Sequence, residues 1–172
     1  MDKLPTHLEK ILRVTESSET TLDGRIVCEC GCKTFGIRYF GESYPPHCIG
    51  VNEYSGKYAL TVRAVCRECG KEWELFDYAK HGYDGFICED GVSVPNEELI
   101  DAAADNERDF EVKIGIEFDD EEQFVEEIVE DPPEGMSFAP DDRVNIWSWV
   151  VIDLKCAKSG KKLKGFVDSE LA

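Results

Sequence analysis

The chain has 172 residues, 42% of them hydrophobic, which is enough to bury a core and argues against disorder throughout. No run of roughly 18 apolar residues exists to cross a bilayer, and the first ten residues lack the apolar stretch of a signal peptide, so a cytoplasmic protein is expected. The net charge of −18 is uneven: residues 1–92 carry 15 acidic and 11 basic side chains, residues 93–172 carry 22 and 8. So acidic a surface repels a phosphate backbone at long range, which disfavours nucleic acid and favours a basic partner, or serves solubility alone.

In chain order, Leu4, Leu8, Ile11 and Leu12 fall at helical spacing and Pro5 suits a first turn, predicting a short helix from Pro5 to Val14. A polar linker, Thr15 to Thr21, follows, so residues 1–24 read as a short helix and linker. From Arg25 the text becomes strand-like. Ile26-Val27 enters a first cysteine cluster and Thr34 to Gly41 leaves it; Lys57 to Val65 alternates into a second cluster and Lys71 to Asp77 alternates out. The stretch Glu42 to Gly56, with Pro45-Pro46 and Ser55-Gly56, reads as a long hairpin loop.

Beyond Gly91, Asn96 to Asp105 is a one-to-two-turn helix candidate. Phe110, Val112, Ile114, Ile116 and Phe118 define one face of a strand. A helix from Asp119 to Asp131 has an apolar face of Phe124, Val125, Ile128 and Val129 and stops at Pro132-Pro133. Asn145 to Cys156 is an aromatic and β-branched strand, with Trp147 and Trp149 expected on one face, packed on the Phe124 helix. Leu163 to Asp168 is a final short strand.

The strongest chemical signal is a pair of cysteine clusters, Cys28-Glu-Cys30-Gly-Cys32 and Cys66-Arg-Glu-Cys69-Gly70. In a reducing compartment, paired cysteines on tight turns read as zinc ligands rather than disulfides. Cys30 and Cys69 each precede a glycine, and the glycine permits the positive-φ turn that aims amides at thiolate sulfurs. Cys32 lies past that glycine, so Cys28 is preferred to Cys32 beside Cys30, Cys66 and Cys69, with the exchange of Cys32 for Cys28 left open. Four thiolates leave no water position on the metal, which makes the expected zinc ion structural.

With these residues in view, residues 25 to 88 resemble the zinc-ribbon class: Cys-x-Cys-Gly with Phe35 after it, then Cys66-x-x-Cys69-Gly70 leading to Trp73. The first knuckle has one intervening residue where the pattern has two, and the 35-residue gap exceeds the roughly 15 to 20 of the compact template. The expected architecture is β-rich α+β: a zinc-ribbon antiparallel sheet in residues 25–92, followed by an acidic β-α-β-β segment in residues 93–172. The text Ala64 to Phe76 aligns without gaps on Leu154 to Phe166, with Ser159 in place of Cys69, suggesting a second hairpin turn without metal.

Two further sites are candidates. Leu75 to Phe86 mixes aromatic and polar residues; Tyr78, His81, Tyr83 and Asp84 suit partner recognition, while Asp77, His81 and Asp84 offer an acid/base group for an enzyme. His47-Cys48 neighbours a thiol with a base, but adjacent residues of an extended segment point to opposite sides and nothing near them supplies an oxyanion hole, which argues against nucleophilic catalysis; Cys88 is expected to be a small buried hydrophobe. The favoured function is a non-enzymatic zinc-binding protein acting through protein–protein interaction. A narrower class is an acidic inhibitor or immunity-type protein covering a basic toxin or nuclease, for which charge is the warrant.

Overall fold

The computed structural model describes residues 4–171. Strands form where apolar and polar side chains alternate, because successive Cβ atoms project to opposite sides of a pleated chain. In chain order they are β1 (Leu12–Ser17), β2 (Thr21–Ile26), β3 (Phe35–Phe40), β4 (Glu42–Tyr44), β5 (Cys48–Gly50), β6 (Asn52–Tyr54) and β7 (Lys57–Ala59). Then come β8 (Thr61–Cys66), β9 (Glu72–Asp77), β10 (Ile100–Asp101), β11 (Phe110–Glu117), β12 (Trp149–Cys156) and β13 (Lys162–Glu170). The helices are short: α1 (Tyr78–His81), α2 (Tyr83–Phe86) and α3 (Glu121–Phe124), the last continuing as a π turn through Val129.

One mixed sheet runs β4-β5-β13-β12-β11-β3-β8-β9, with β1, β2 and β10 paired alongside. At its centre two three-stranded antiparallel units meet, β3-β8-β9 and β11-β12-β13, registered through the single pair Phe35 and Phe110. In each unit that phenylalanine sits opposite a cysteine at the mouth of a hairpin, Phe35 opposite Cys66 and Phe110 opposite Cys156. Both rings are fully buried in one core that also takes Leu8, Ile11, Phe76, Trp147 and Ile152. The N-terminal strands β1 and β2, the cysteine-bearing unit and the second half thus share a sheet: β2 pairs with β11 over Thr21 to Arg25.

The architecture is β-rich α+β as expected, and its second half follows the β-α-β-β order, with differences in detail. Residues 5 to 14 form consecutive turns and the start of β1 rather than a helix. Leu8 and Ile11 do bury at turn spacing, but from Leu12 onward the chain gains backbone partners in β2, with Leu12 opposite Ile26. The polar stretch after it is therefore the end of β1 and a hairpin turn, not a linker. Asn96–Glu98 is a single 3-10 turn. Glu42 to Gly56 contains β4, β5 and β6, because Ile49 pairs in parallel with Val167.

The predicted acidic helix is present. The Asp120 carboxylate accepts the Gln123 amide at 2.8 Å as an N-cap, and Phe124 and Ile128 pack on Ile87 and Ile146. Trp147 and Trp149 do not share a face. Trp147 precedes β12 and is fully buried with Phe76, whereas Trp149 begins β12 on the opposite side, its indole N–H donating to Asp168. The Phe124 helix belongs to a separate small cluster, so it packs on neither tryptophan.

Candidate metal centre

The two turns that close β3, β8 and β9 at one end carry the cysteine clusters. In the first, the Gly31 amide donates to the Cys28 carbonyl at 2.8 Å and the Cys28 amide to the Cys32 carbonyl at 2.9 Å. In the second, Gly70 donates to Cys66 and Cys66 to Lys71, at 3.0 and 2.9 Å. Gly31 and Gly70 have φ of +91° and +73°, the left-handed region where a Cβ is penalised, which is why each knuckle places glycine after a cysteine.

These turns bring the Sγ atoms of Cys28, Cys30, Cys66 and Cys69 within 4.8 Å of one another. The Cys28–Cys69 and Cys30–Cys66 separations are both 3.5 Å. A tetrahedron with zinc–sulfur bonds of about 2.3 Å has edges of about 3.8 Å, so the four thiols fit a thiolate-bound ion. Cys32 stands apart: its Sγ lies 3.3 Å from the Thr34 carbonyl and accepts the Thr34 amide. Cys28 and Cys66 are buried, Cys30 and Cys69 exposed, so the cluster sits at the rim of the core.

The backbone prepares the sulfurs for negative charge. Burial opposes ionisation of Cys66, but amide N–H groups of Cys69 and Glu68 and bonds from the Cys30 and Cys69 thiols outweigh it, lowering its pKa to about 6. At Cys30 the amide of Cys32 favours the thiolate, yet burial and the neighbouring thiols dominate and push it up to about 12. At Cys69 the Lys71 amide likewise favours the thiolate, but the neighbouring Cys28 and Cys66 thiols outweigh it and push the pKa up, so the surroundings favour the thiolate at Cys66 over Cys30 and Cys69. Laterally, Lys71 ties the knuckles together by pairing with Glu29 and lying 4.1 Å over the Trp73 ring.

The hairpin of β12 and β13 repeats this backbone without the thiolates. Gly160 donates to Cys156 at 2.9 Å, Cys156 to Lys161 at 2.8 Å, and Gly160 has φ +74°. Lys161 pairs with Asp105 as Lys71 pairs with Glu29. Where the first hairpin aims the Glu68 and Cys69 amides at a sulfur, the second aims those of Lys158 and Ser159 at the Glu107 carboxylate, at 3.3 and 3.1 Å.

The other candidates have structural surroundings. Tyr78 and His81 are buried, and Tyr83 and Asp84 are half-buried. Amides of Tyr83 and Asp84 donate to the carbonyls of Trp147 and Leu171, which docks the helices against the sheet by their main chain. The Asp77 carboxylate caps α1 through the Ala79 amide at 3.0 Å, and His81 Nδ1 accepts the Asp77 amide at 3.0 Å. Asp84 instead accepts from the Cys88 thiol. Burial raises the Asp77 pKa and depresses that of His81 well below 6.5, His7 and Lys80 adding to the depression.

Sequence reasoning missed His7, whose ring stacks on His81 at 3.8 Å between centroids, with Trp147 and Phe76 beside them. No local signal links residue 7 to residue 81; only the fold does. His47 and Cys48 diverge, His47 bonding the Lys164 carbonyl at 2.7 Å and the Cys48 thiol facing the Ile49 carbonyl at 3.7 Å. Cys88 is exposed rather than buried, because α2 ends just before it and turns it outward. Among the described residues no helix is long and apolar enough to cross a membrane. No family model matches the chain, and comparison with curated proteins and with solved structures found no match.

Proposed function

We propose that this chain is a non-enzymatic protein, built on a zinc-ribbon-like unit whose structural zinc is held by Cys28, Cys30, Cys66 and Cys69, and that it docks a basic protein through its acidic second half. The metal part rests on the four converging sulfurs. The observation that carries the docking part is the uncompensated charge around α3. Glu121, Glu122, Glu126, Glu127, Glu130 and Asp131 make no salt bridge among the described residues. Arg143, close to Asp119, donates its guanidinium to the backbone carbonyls of Glu19 and Asp119 rather than to these carboxylates. An inhibitor covering the nucleic-acid-facing site of a toxin or nuclease is the narrower class that such a surface suits.

The test is binding to a lysine-rich polypeptide over a salt series, with glutamines at Glu121, Glu122, Glu126 and Glu127. Affinity should fall about tenfold and lose much of its salt dependence. Glutamines at four exposed acids elsewhere, Glu9, Glu53, Glu97 and Glu98, serve as the control. Equal losses in both variants would reduce the effect to net charge and remove the α3 surface from the proposal.

A further inference from the structure

Among the described residues, the side of β1, β2, β11, β12 and β13 that faces away from the core carries no covering layer, and its charges are sorted. One cleft of about 430 Å³ is lined by Arg25, Lys113, Lys155, Lys162 and Lys164 against only Glu111 and Asp153. The adjoining cleft, about 360 Å³, shares Lys113 and Asp153 and continues over Gly115, Val151 and Trp149 to Asp23 and Glu117. On a chain of net charge −18, five of 19 basic side chains thus line a single depression.

The register shows that this is a costly arrangement. Arg13, Arg25 and Lys113 lie directly opposite one another on three successive strands, and like charges in that position destabilise a sheet. Elsewhere the same sheet relieves the conflict: Arg38 and Arg63, also directly opposed, are bridged by the two oxygens of Glu72 at 3.2 and 3.1 Å. Here relief is partial. Lys113 pairs with Asp23 and Lys155 with Glu111, but Arg25, Lys162 and Lys164 have no ion pair among the described residues. A break in register opposite Asp153, whose carboxylate holds the Gly165 amide at 2.7 Å, brings Lys164 into the cleft.

We propose that this face binds a nucleoside polyphosphate, the phosphates in the cationic cleft and the nucleoside in the acidic one beside Trp149. Arg25 offers a planar fork and the lysines point charges, the two ways side chains hold phosphate oxygens. Trp149, half-buried with its ring fixed by the bond to Asp168, offers a stacking surface. Carboxylates of Asp23 and Glu117 suit hydroxyl and amino donors. From Lys113 to Glu117 the strand advances about 14 Å, the span of a nucleoside triphosphate. The cleft volumes suit a small ligand, and the protein's net charge repels a long polyanion.

Isothermal titration with magnesium-free ATP at low salt, together with tryptophan fluorescence, tests this. Binding on the order of 100 μM is expected, with quenching that disappears in Trp149→Phe. Lys162→Ala with Lys164→Ala, and separately Arg25→Ala, should each weaken binding about tenfold while far-UV circular dichroism stays unchanged. Inorganic tripolyphosphate should bind more weakly and without quenching. No ATP binding at millimolar concentration, or binding indifferent to both sets of substitutions, overturns the proposal. So does tripolyphosphate binding as tightly as ATP, or duplex DNA binding more tightly. Retention of the acidic α3 residues in every variant keeps this outcome separate from the docking test above.

Discussion

The hairpin β8-β9 and the hairpin β12-β13 have the same backbone, the same glycine conformation and the same lysine-to-acid tie, yet they satisfy their inward-pointing amides differently. The first aims them at a cysteine sulfur within a four-thiol cluster, the second at the Glu107 carboxylate. A knuckle is first a way of pointing N–H groups at negative charge. A thiolate cluster can answer that with a metal, which would link two chain segments 35 residues apart; a carboxylate answers it alone. The preceding turns explain the divergence. Cys28 to Cys32 carries its left-handed residue as Gly31, whereas Ala104 to Glu107 is one residue shorter before its strand and takes positive φ at Asp105 and Asn106.

The largest expected effect is on the first hairpin alone. Strong chelation, or Cys66→Ser, should remove one equivalent of zinc by elemental analysis and lower stability by several kcal/mol, since site formation is coupled to folding. Hydrogen exchange should accelerate in β3, β8 and β9 before β11, β12 and β13. Simultaneous loss across all six strands would mean that the shared core, not the metal, sets local order. Next in size is a pH effect at the His7–His81 stack, into which β9 leads through α1. His81 has a depressed folded pKa, so below pH 6.5 the unfolded chain takes up a proton that the folded chain refuses. Stability should therefore hold above pH 6.5 and fall below it, by up to about 1.4 kcal/mol per unit. His81→Phe should flatten that slope in thermal melts; an unchanged slope assigns it elsewhere.

Smaller and more pointed are the paired glycine substitutions. At Gly70 and Gly160 a Cβ meets nothing within 4 Å, so alanine costs only the backbone strain of φ near +74°. Each should cost about 1 kcal/mol, and in the metal-free protein the two costs should be equal. With zinc bound, Gly70→Ala should cost more; equality there would detach the knuckle geometry from metal binding. The smallest effect is at Glu107, whose pKa is lowered by the Ser159 and Lys158 donors. Its contribution is present above pH 4.5 and lost as pH falls through the depressed folded value. Glu107→Gln should lower the melting temperature slightly at neutral pH and leave zinc content unchanged.

Much of this was legible in the residues. Cysteine spacing and the Cys-Gly endings picked out Cys28, Cys30, Cys66 and Cys69 over Cys32, because turn chemistry is local. The period-two face of Phe110, Val112, Ile114 and Ile116 and the capped α3 were readable for the same reason. Cys156, Gly160 and Lys161 marked the second hairpin. Illegible were the contacts made between distant segments: β1 in place of a helix, Trp147 and Trp149 on opposite sides, Tyr78 and His81 buried, His7 on His81. Each is decided by which strand or ring comes alongside, and sequence periodicity does not record that.

Where thiols, acids and turns lie is written in the residues alone: two knuckles with two cysteines each in the first half, and a serine in place of the second cysteine at the later hairpin. That Arg13, Arg25 and Lys113 stand in one row, and that the three-stranded units β3-β8-β9 and β11-β12-β13 join through Phe35 and Phe110 into one sheet, is settled by the folded chain. Turn geometry depends on a few adjacent residues, whereas strand register depends on apolar surface gathered from the whole chain.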